Sequence, residues 1–272
     1  MPASWGFPNP ATPPGSSNYY SLRFSPPALR DDLGALLAWR HQVRAILTEV
    51  SDPGVARLKL AWWRDQVRGL EGDGQPRHPL TQVLSPLMAR HRLPLAPFLA
   101  MADQVEREIR RQTPQDTPAL LAACTEDLGS LFELMGLCHG RPQPDTQATL
   151  GHLGALCGLV YRLRDSGWLA RQGRAPIPLD HLRALGLTPD DLRQREGLNR
   201  LPLWLSDLTR ETRAMEGLLA NLPGLPPFAR IHARIQAKLL KELEAISFRV
   251  ADQRLALTPT RKLWIAWRES RR

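Results

Sequence analysis

The residues of this chain that could do chemistry are a few acidic side chains set among many arginines. Asp165 follows Arg164 near the end of a long apolar segment, where its carboxylate could hold a metal ion. The alternative is that Asp165 pairs with Arg162 or Arg164, or caps the turn that follows. Asp207 and Glu211 are four residues apart, a spacing that places two carboxylates on one face of a helix and makes them candidate metal ligands. Arginines beside them make surface ion pairing the alternative.

Other common chemistries leave no pattern in the sequence. It contains no nucleophile elbow, no glycine-rich phosphate loop, no dinucleotide fingerprint and no histidine or cysteine cluster with metal-ligand spacing. The three cysteines, Cys124, Cys138 and Cys157, lie in apolar stretches, and their odd number argues against a disulfide scaffold. We interpret them as buried thiols in a reducing compartment. We therefore expect a cytoplasmic location, with peripheral contact at the inner face of a membrane as an addition.

The chain is strongly basic, with a formal net charge of +9 and a pI near 10.3. No zinc-finger spacing, aromatic RNA-binding signature or basic region with heptads is present, so we exclude nucleic acid as a partner. Solvated arginines on helix surfaces are our main interpretation of the charge, and contact with an anionic membrane or an acidic partner is the alternative. The basic residues are spread along the chain and are densest at the C-terminus, at Arg261, Lys262, Arg268, Arg271 and Arg272.

Helices are the elements that must position these side chains. From Pro27 onward the apolar residues recur with helical period, separated by proline and glycine, and no alternating strand pattern occurs. We expect one helical domain over residues 18–272, preceded by a disordered Pro/Gly/Ser-rich leader at residues 1–17. No uncharged apolar stretch is long enough to span a membrane. The pattern predicts about ten helices, the longer ones at residues 29–50, 55–70, 78–91, 96–111, 118–138, 146–170, 201–222, 227–253 and 259–268.

Four collinear stretches carry a family resemblance. They are Asn18-Tyr19-Tyr20-Ser21 with residues 25–30, residues 58–65 with His78-Pro79, Leu163-Arg164-Asp165 with residues 171–178, and Arg261-Lys262-Leu263-Trp264. Together they resemble the squalene/phytoene synthase family over roughly residues 18–268. The resemblance implies an all-α, single-domain, isoprenoid-synthase-like bundle of about ten helices around a central cavity. The segment at residues 38–63 is most similar to a degenerate subgroup that includes a mitochondrial complex I assembly factor.

In active members of that family, two acidic motifs face each other and bind magnesium ions that hold prenyl diphosphates. This sequence departs from both motifs. Arg44, Ala45 and Thr48 stand where the first motif has aspartates, and in the second Asp165 remains while Trp168 and Leu169 replace an acidic pair. Two unit charges about 4 Å apart interact by about 4 kcal/mol at an effective dielectric constant of about 20. An arginine at position 44 therefore repels a magnesium ion and attracts a diphosphate.

The resemblance also implies candidate ligand-binding residues. Arg174 matches a family position close to the diphosphate, with a structural salt bridge as the alternative. Arg44, Arg164 and Tyr20 complete the predicted diphosphate-binding set, together with His41. His41 could act as a base near the cavity, and a structurally satisfied histidine is the alternative.

The leading hypothesis is a catalytically degenerate synthase-like protein, without a cofactor, that serves as a binding or assembly factor. It would hold an isoprenoid, another lipid or a diphosphate, and its partners would be that ligand and a protein in complex assembly. The alternative is an active, Mg²⁺-dependent head-to-head prenyltransferase with atypical metal ligands. A third hypothesis is a basic scaffold that docks on an anionic membrane or an acidic partner without using the cavity.

Overall fold

The computed structural model describes residues 5–71, 76–140, 142–221 and 224–271, and within these ranges the chain forms helices and no strand. The predicted all-α bundle is thereby confirmed. The helices are α1 (Ser17–Arg23), α2 (Arg30–Glu49), α3 (Pro53–Arg68), α4 (Pro79–His91), α5 (Ala96–Ile109), α6 (Thr117–Cys124), α7 (Ser130–Leu137), α8 (Pro144–Arg171), α9 (Leu179–Ala184), α10 (Arg195–Asn199), α11 (Leu201–Asn221), α12 (Pro227–Ala245) and α13 (Pro259–Ser270).

Proline and a side-chain cap define where several of these helices begin. The carboxylate of Asp52 accepts the backbone N–H of Val55 at the start of α3, and the hydroxyl of Thr258 accepts that of Arg261 at the start of α13. In both helices the residue after the cap is a proline, whose fixed φ suits the first helical position and whose missing N–H would have had no partner there. The predicted Thr258-Pro259 start of the last helix is confirmed.

Helix α8 is the central element of the bundle, packed against α6, α7, α11 and α12. Glycines allow it to approach its neighbours closely. At Gly154 an added Cβ would lie 2.6 Å from the carbonyl oxygen of Leu128 and 2.9 Å from the Cα of Gly129. These two residues belong to a π-helical turn, Thr125–Gly129, that joins α6 to α7. The close contact sets the distance between α8 and this turn, and both line the cavity described below.

The disordered leader predicted for residues 1–17 is wrong for residues 5–17. The buried Asn9 side chain donates to the carbonyl oxygen of Gly34 on α2 at 2.9 Å. The N–H of Phe7 donates to the carboxylate of Asp31 at 2.9 Å. Residue 17 is the first residue of α1. These hydrogen bonds keep residues 5–17 in place against α2, although their composition is typical of disorder. Residues 1–4 of the predicted leader lie outside the described residues.

Membrane-spanning helices were not expected from the sequence. Across the described ranges, none of the helices combines the length and the apolar character needed to cross a bilayer.

Candidate functional site

A polar cavity lies between α2, α5, α8 and the π-helical turn. Its volume is about 280 Å³. Helices α2 and α8, which carry the two motif positions named above, face each other across it. A second pocket of about 360 Å³ adjoins it on the side of α2. The charged residues of the first cavity are Arg40, Arg44, Glu108, Asp127, Arg162, Arg164 and Asp165, and those of the second include Arg40, His41, Arg44 and Arg174.

Arg44 on α2 bridges two carboxylates from other elements. One of its guanidinium nitrogens, Nη1, lies 3.1 Å from Oε1 of Glu108 on α5 and 3.0 Å from Oδ2 of Asp127 in the π-helical turn. Arg40, one turn earlier on the same face of α2, binds both oxygens of Asp127 at 2.7 Å. The guanidinium of Arg44 thus occupies the place between two carboxylates that a bound cation would take.

Glu108 is the acidic centre of the cavity. Burial by itself would raise the pKa of its carboxyl, but the charges of Arg44, Arg162 and Arg174 outweigh this effect and lower the pKa to about 2. Asp127 behaves in the same way, because the charges of Arg40 and Arg44 lower its pKa against the effect of burial. Both carboxylates are therefore ionised at neutral pH and are compensated by arginines.

Asp165, the remnant of the second motif, is also held by arginines. Arg164 binds both carboxylate oxygens at 2.7 Å. Arg254, in the segment after α12, binds the same two oxygens at 2.7 and 2.9 Å. Burial would raise the pKa of Asp165, and the hydrogen bonds from the two arginines lower it. The structure supports the predicted pairing with Arg164, and Arg254 is a second partner that the sequence did not reveal.

Arg174 and His41 lie at the adjoining pocket. The Nη2 atom of Arg174 is 3.6 Å from Oε2 of Glu108. This nitrogen and Nε of Arg162 are buried and donate no hydrogen bond to the described residues. Burial lowers the pKa of Arg174, and also that of His41, where the charge of Glu49 opposes the shift and that of Arg40 adds to it. Two buried guanidinium nitrogens beside the cavity therefore lack a hydrogen-bond acceptor among the described residues.

One predicted site residue, Tyr20, lies outside this cavity. Tyr20 is on α1, which packs on α12 and α13, so its ring lines an external groove with Leu263 and Pro227. Its contribution to diphosphate binding therefore stays a prediction. The side chains of Asp207 and Glu211, on α11, lie outside the described residues, and their metal binding stays a prediction.

Four residues of the site were missed from the sequence: Arg40, Glu108, Asp127 and Arg162. The sequence could have indicated Arg40, because it precedes Arg44 by one helical turn and lies on the same helix face. No local pattern could have indicated Glu108 and Asp127, since their partner Arg44 is 64 and 83 residues away.

Magnesium does not fit the carboxylates of this cavity as they stand. Mg²⁺ requires several oxygen ligands in near-octahedral geometry. Glu108, Asp127 and Asp165 each already accept hydrogen bonds from arginines, and Arg44 lies between the first two. Over the described part of the chain, no group of three or more histidine, cysteine, aspartate or glutamate side chains is placed to hold a metal ion.

Comparisons with known proteins show the family of this chain. A sequence model of squalene/phytoene synthase matches residues 11–261. The phytoene synthase of Arthrospira platensis is 24% identical over 262 residues, which cover 90% of this chain and 84% of that protein. The NADH dehydrogenase (ubiquinone) complex I, assembly factor 6, of Rattus norvegicus is 22% identical over 64% of this chain. The aligned region spans 52% of that assembly factor, about half its length.

Two solved structures share the fold. Squalene synthase HpnC from Alicyclobacillus acidocaldarius superposes with a TM-score of 0.72 at 19% identity, covering 88% of this chain and 92% of that one. A dehydrosqualene synthase in complex with a ligand gives a TM-score of 0.74 at 18% identity, covering 94% of this chain and 90% of that one. At such identities the likeness establishes the fold and says nothing of the reaction.

Proposed function

This chain belongs to the squalene/phytoene synthase family, and we propose that it is a degenerate member that binds a diphosphate-like anion without magnesium. The observation that supports this most directly is the position of Arg44 between Glu108 and Asp127, 3.1 and 3.0 Å from their oxygens. A guanidinium there neutralises the carboxylates that would otherwise attract a metal ion. No metal ion is then present to assist the departure of a diphosphate, while the positive charge of the arginine still attracts the diphosphate.

The charge of the cavity favours an anionic ligand. Its arginines outnumber its carboxylates, and Arg162 and Arg174 have buried donors with no hydrogen-bond acceptor among the described residues. Arginine is the side chain best suited to phosphate oxygens, because its planar group donates two parallel hydrogen bonds. Arg162 lines the cavity and Arg174 the adjoining pocket, so the charges of both side chains would attract a diphosphate bound there.

Similarity to complex I assembly factor 6 supports a role in assembly with a protein partner. That role and anion binding are compatible, because a bound isoprenoid or lipid would act as a structural ligand of an assembly factor. The relationship covers about half of the assembly factor, so the partner is proposed on the family relationship alone.

An active prenyltransferase is the second candidate. It is favoured by the similarity to phytoene synthase over 90% of the chain and by the retained Asp165. The two candidates differ in what magnesium does to the ligand. In a metal-dependent synthase Mg²⁺ is needed to hold the diphosphate, whereas in a positively charged cavity Mg²⁺ competes with arginine for the same oxygens.

The test measures turnover and binding separately. The protein is incubated with farnesyl or geranylgeranyl diphosphate and Mg²⁺, and released pyrophosphate is quantified. Calorimetric titration with inorganic pyrophosphate follows, in EDTA and then in Mg²⁺. We expect no turnover, binding in EDTA, and weaker binding in Mg²⁺. Turnover that is abolished in Asp165→Ala, or binding that requires Mg²⁺, would establish the prenyltransferase instead.

Two variants complete the binding test. Arg174→Gln removes a buried donor and should weaken pyrophosphate binding by about tenfold, which is the usual order for one charge-assisted hydrogen bond. Arg110→Gln is the matched control, because Arg110 is on α5 but is 52% exposed and pairs with Glu106. Equal affinities for the two variants would exclude Arg174 from the site. Native mass spectrometry of the purified protein would then identify any bound isoprenoid.

A further inference from the structure

Helix α13 presents large apolar side chains to solvent. Leu263, Trp264 and Trp267 are 43%, 55% and 41% exposed. The opposite side of the helix packs on the bundle through the buried residues Ala266 and Glu269. Burial of a tryptophan ring is strongly favourable, so two exposed rings on one short helix mark an interaction surface.

Arginines accompany the two tryptophans. The guanidinium carbon of Arg268 is 5.5 Å from the centre of the Trp264 ring, and that of Arg271 is 4.1 Å from the centre of the Trp267 ring. Glu269, the one acidic residue of α13, is buried and lies 3.5 Å from Arg234 on α12. The solvent-facing side of α13 therefore combines apolar rings with positive charge and carries no carboxylate.

The basic and aromatic character extends to both neighbouring helices. On one side a groove between α12 and α13 is lined by Lys238, Lys241 and Arg261. On the other side Tyr20 and Arg23 of α1 line a groove with Leu263. Glu242 offsets part of the charge, since it pairs with Arg261 at 2.7 Å and with Lys238 at 3.5 Å. These neighbours broaden a positive surface that continues well beyond α13.

We propose that the α13 face, defined as Leu263, Trp264, Trp267, Arg268 and Arg271, docks the protein on an anionic lipid surface. Tryptophan is favoured at the level of lipid headgroups, because the apolar part of its ring contacts the acyl chains while its N–H remains hydrated. Arginine beside it is attracted to anionic headgroups at the same depth. Shallow insertion of apolar side chains combined with basic attraction is how helices that lie on a membrane bind to it. None of these five residues lines the cavity or its adjoining pocket, so the docking can be tested separately from ligand binding.

The test is co-sedimentation of the full chain with vesicles. One set contains phosphatidylcholine and phosphatidylglycerol in equal parts, and the other contains phosphatidylcholine alone. We expect binding to the first set, weakening as salt is raised, and little binding to the second. The double variant Arg268→Gln/Arg271→Gln should lower the partition coefficient by about twenty-five-fold, at about fivefold for each basic residue near the surface. Trp264→Ala/Trp267→Ala should lower it by at least about tenfold.

A control on α3 removes the same residue types from another exposed patch. Trp62 is 43% exposed and Arg57 is exposed on the same helix, so Trp62→Ala/Arg57→Gln removes one residue of each type from a surface outside the α13 face. It should leave vesicle binding unchanged. Equal loss in this control, equal binding to neutral vesicles, or no binding at all would overturn the proposal. So would a wild-type dimer that dissociates in the α13 variants, because a second copy would then cover the face. Thermal unfolding monitors the fold of each variant, and the exposed arginine pair keeps the test valid if the tryptophan variant is unstable.

Discussion

Replacing Arg44 by methionine tests whether its guanidinium holds the cavity together. Methionine keeps an unbranched apolar stem and removes the charge. The change deletes two hydrogen bonds to Glu108, at 3.1 and 3.4 Å, and one to Asp127 at 3.0 Å. A hydrogen bond to a charged group contributes about 1.5–3 kcal/mol to stability.

Breaking a buried ion pair costs about 3–5 kcal/mol, and the surroundings of Arg44 decide where in this range the loss of stability falls. Its side chain is 25% exposed, which allows water to solvate the carboxylates in part. Asp127 keeps Arg40, and Glu108 keeps Arg174 at 3.6 Å and Arg162 at 3.9 Å. We therefore expect a loss of about 3 kcal/mol in the free energy of unfolding, at the low end for breaking a buried ion pair.

The assay is urea unfolding followed by circular dichroism, with and without Mg²⁺. Removal of the bridging guanidinium leaves two carboxylates without their shared cation, so Mg²⁺ should stabilise Arg44→Met and leave the wild type unchanged. At a concentration ten times its dissociation constant, Mg²⁺ would restore about 1.4 kcal/mol. Arg110→Met is the control, and its exposed pair with Glu106 predicts a loss below about 0.5 kcal/mol.

Two results would refute the reasoning. If Arg44→Met is as stable as the control, the guanidinium does not hold the two carboxylates. If Mg²⁺ stabilises the wild type as much as the variant, the native carboxylates are open to metal, and the metal-free function fails with them.

Three further predictions concern the same region. The pKa of Glu108 falls from 4.5 to about 2 on folding, so its ionised form stabilises the protein above pH 4.5. The free energy of unfolding, measured as a function of pH, should therefore decrease by up to about 3 kcal/mol between pH 4.5 and 2. A free energy that does not change over this range would contradict the prediction. Gly154→Ala should destabilise the protein by about 1–3 kcal/mol in urea unfolding, because its Cβ would press on the carbonyl oxygen of Leu128; an unchanged midpoint would show that α8 can shift. Tyr161→Phe removes the hydroxyl that bonds His232 at 3.1 Å and should cost about 1–2 kcal/mol; a neutral effect would mean that water replaces it.

Helix positions could be predicted from the sequence because they depend on local signals. The predicted helix at residues 29–50 is α2, Arg30–Glu49, and that at residues 146–170 is α8, Pro144–Arg171. Both are long, and each begins at or shortly after a proline, Pro27 for α2 and Pro144 for α8. The order of residues 5–16 could not be predicted in this way, because it depends on hydrogen bonds from Asn9 and Phe7 to residues about 25 positions away.

The candidate site was only half predictable, for a related reason. The resemblance located Arg44 and Asp165, since each falls at a motif position on a long helix. The partners of these residues come from elsewhere: Glu108 from α5, and Asp127 from a π-helical turn inside a helix that the sequence pattern read as continuous. Such an insertion has no periodic signature, and it is frequently found at functional sites.

The balance of charge across the cavity determines which ion can complete it. A site built on clustered carboxylates has surplus negative charge, and a metal ion completes it. Here the surplus is positive, because four arginines face three carboxylates in the cavity: Arg40, Arg44, Arg162 and Arg164 against Glu108, Asp127 and Asp165. Arg44 stands where the family resemblance places an acidic residue, so introducing the acid alone, as in Arg44→Asp, removes a fixed cation and adds a third negative charge beside two buried carboxylates. The variant should therefore unfold more readily than the wild type unless magnesium is present, and this dependence would show that the fixed cation replaces the metal.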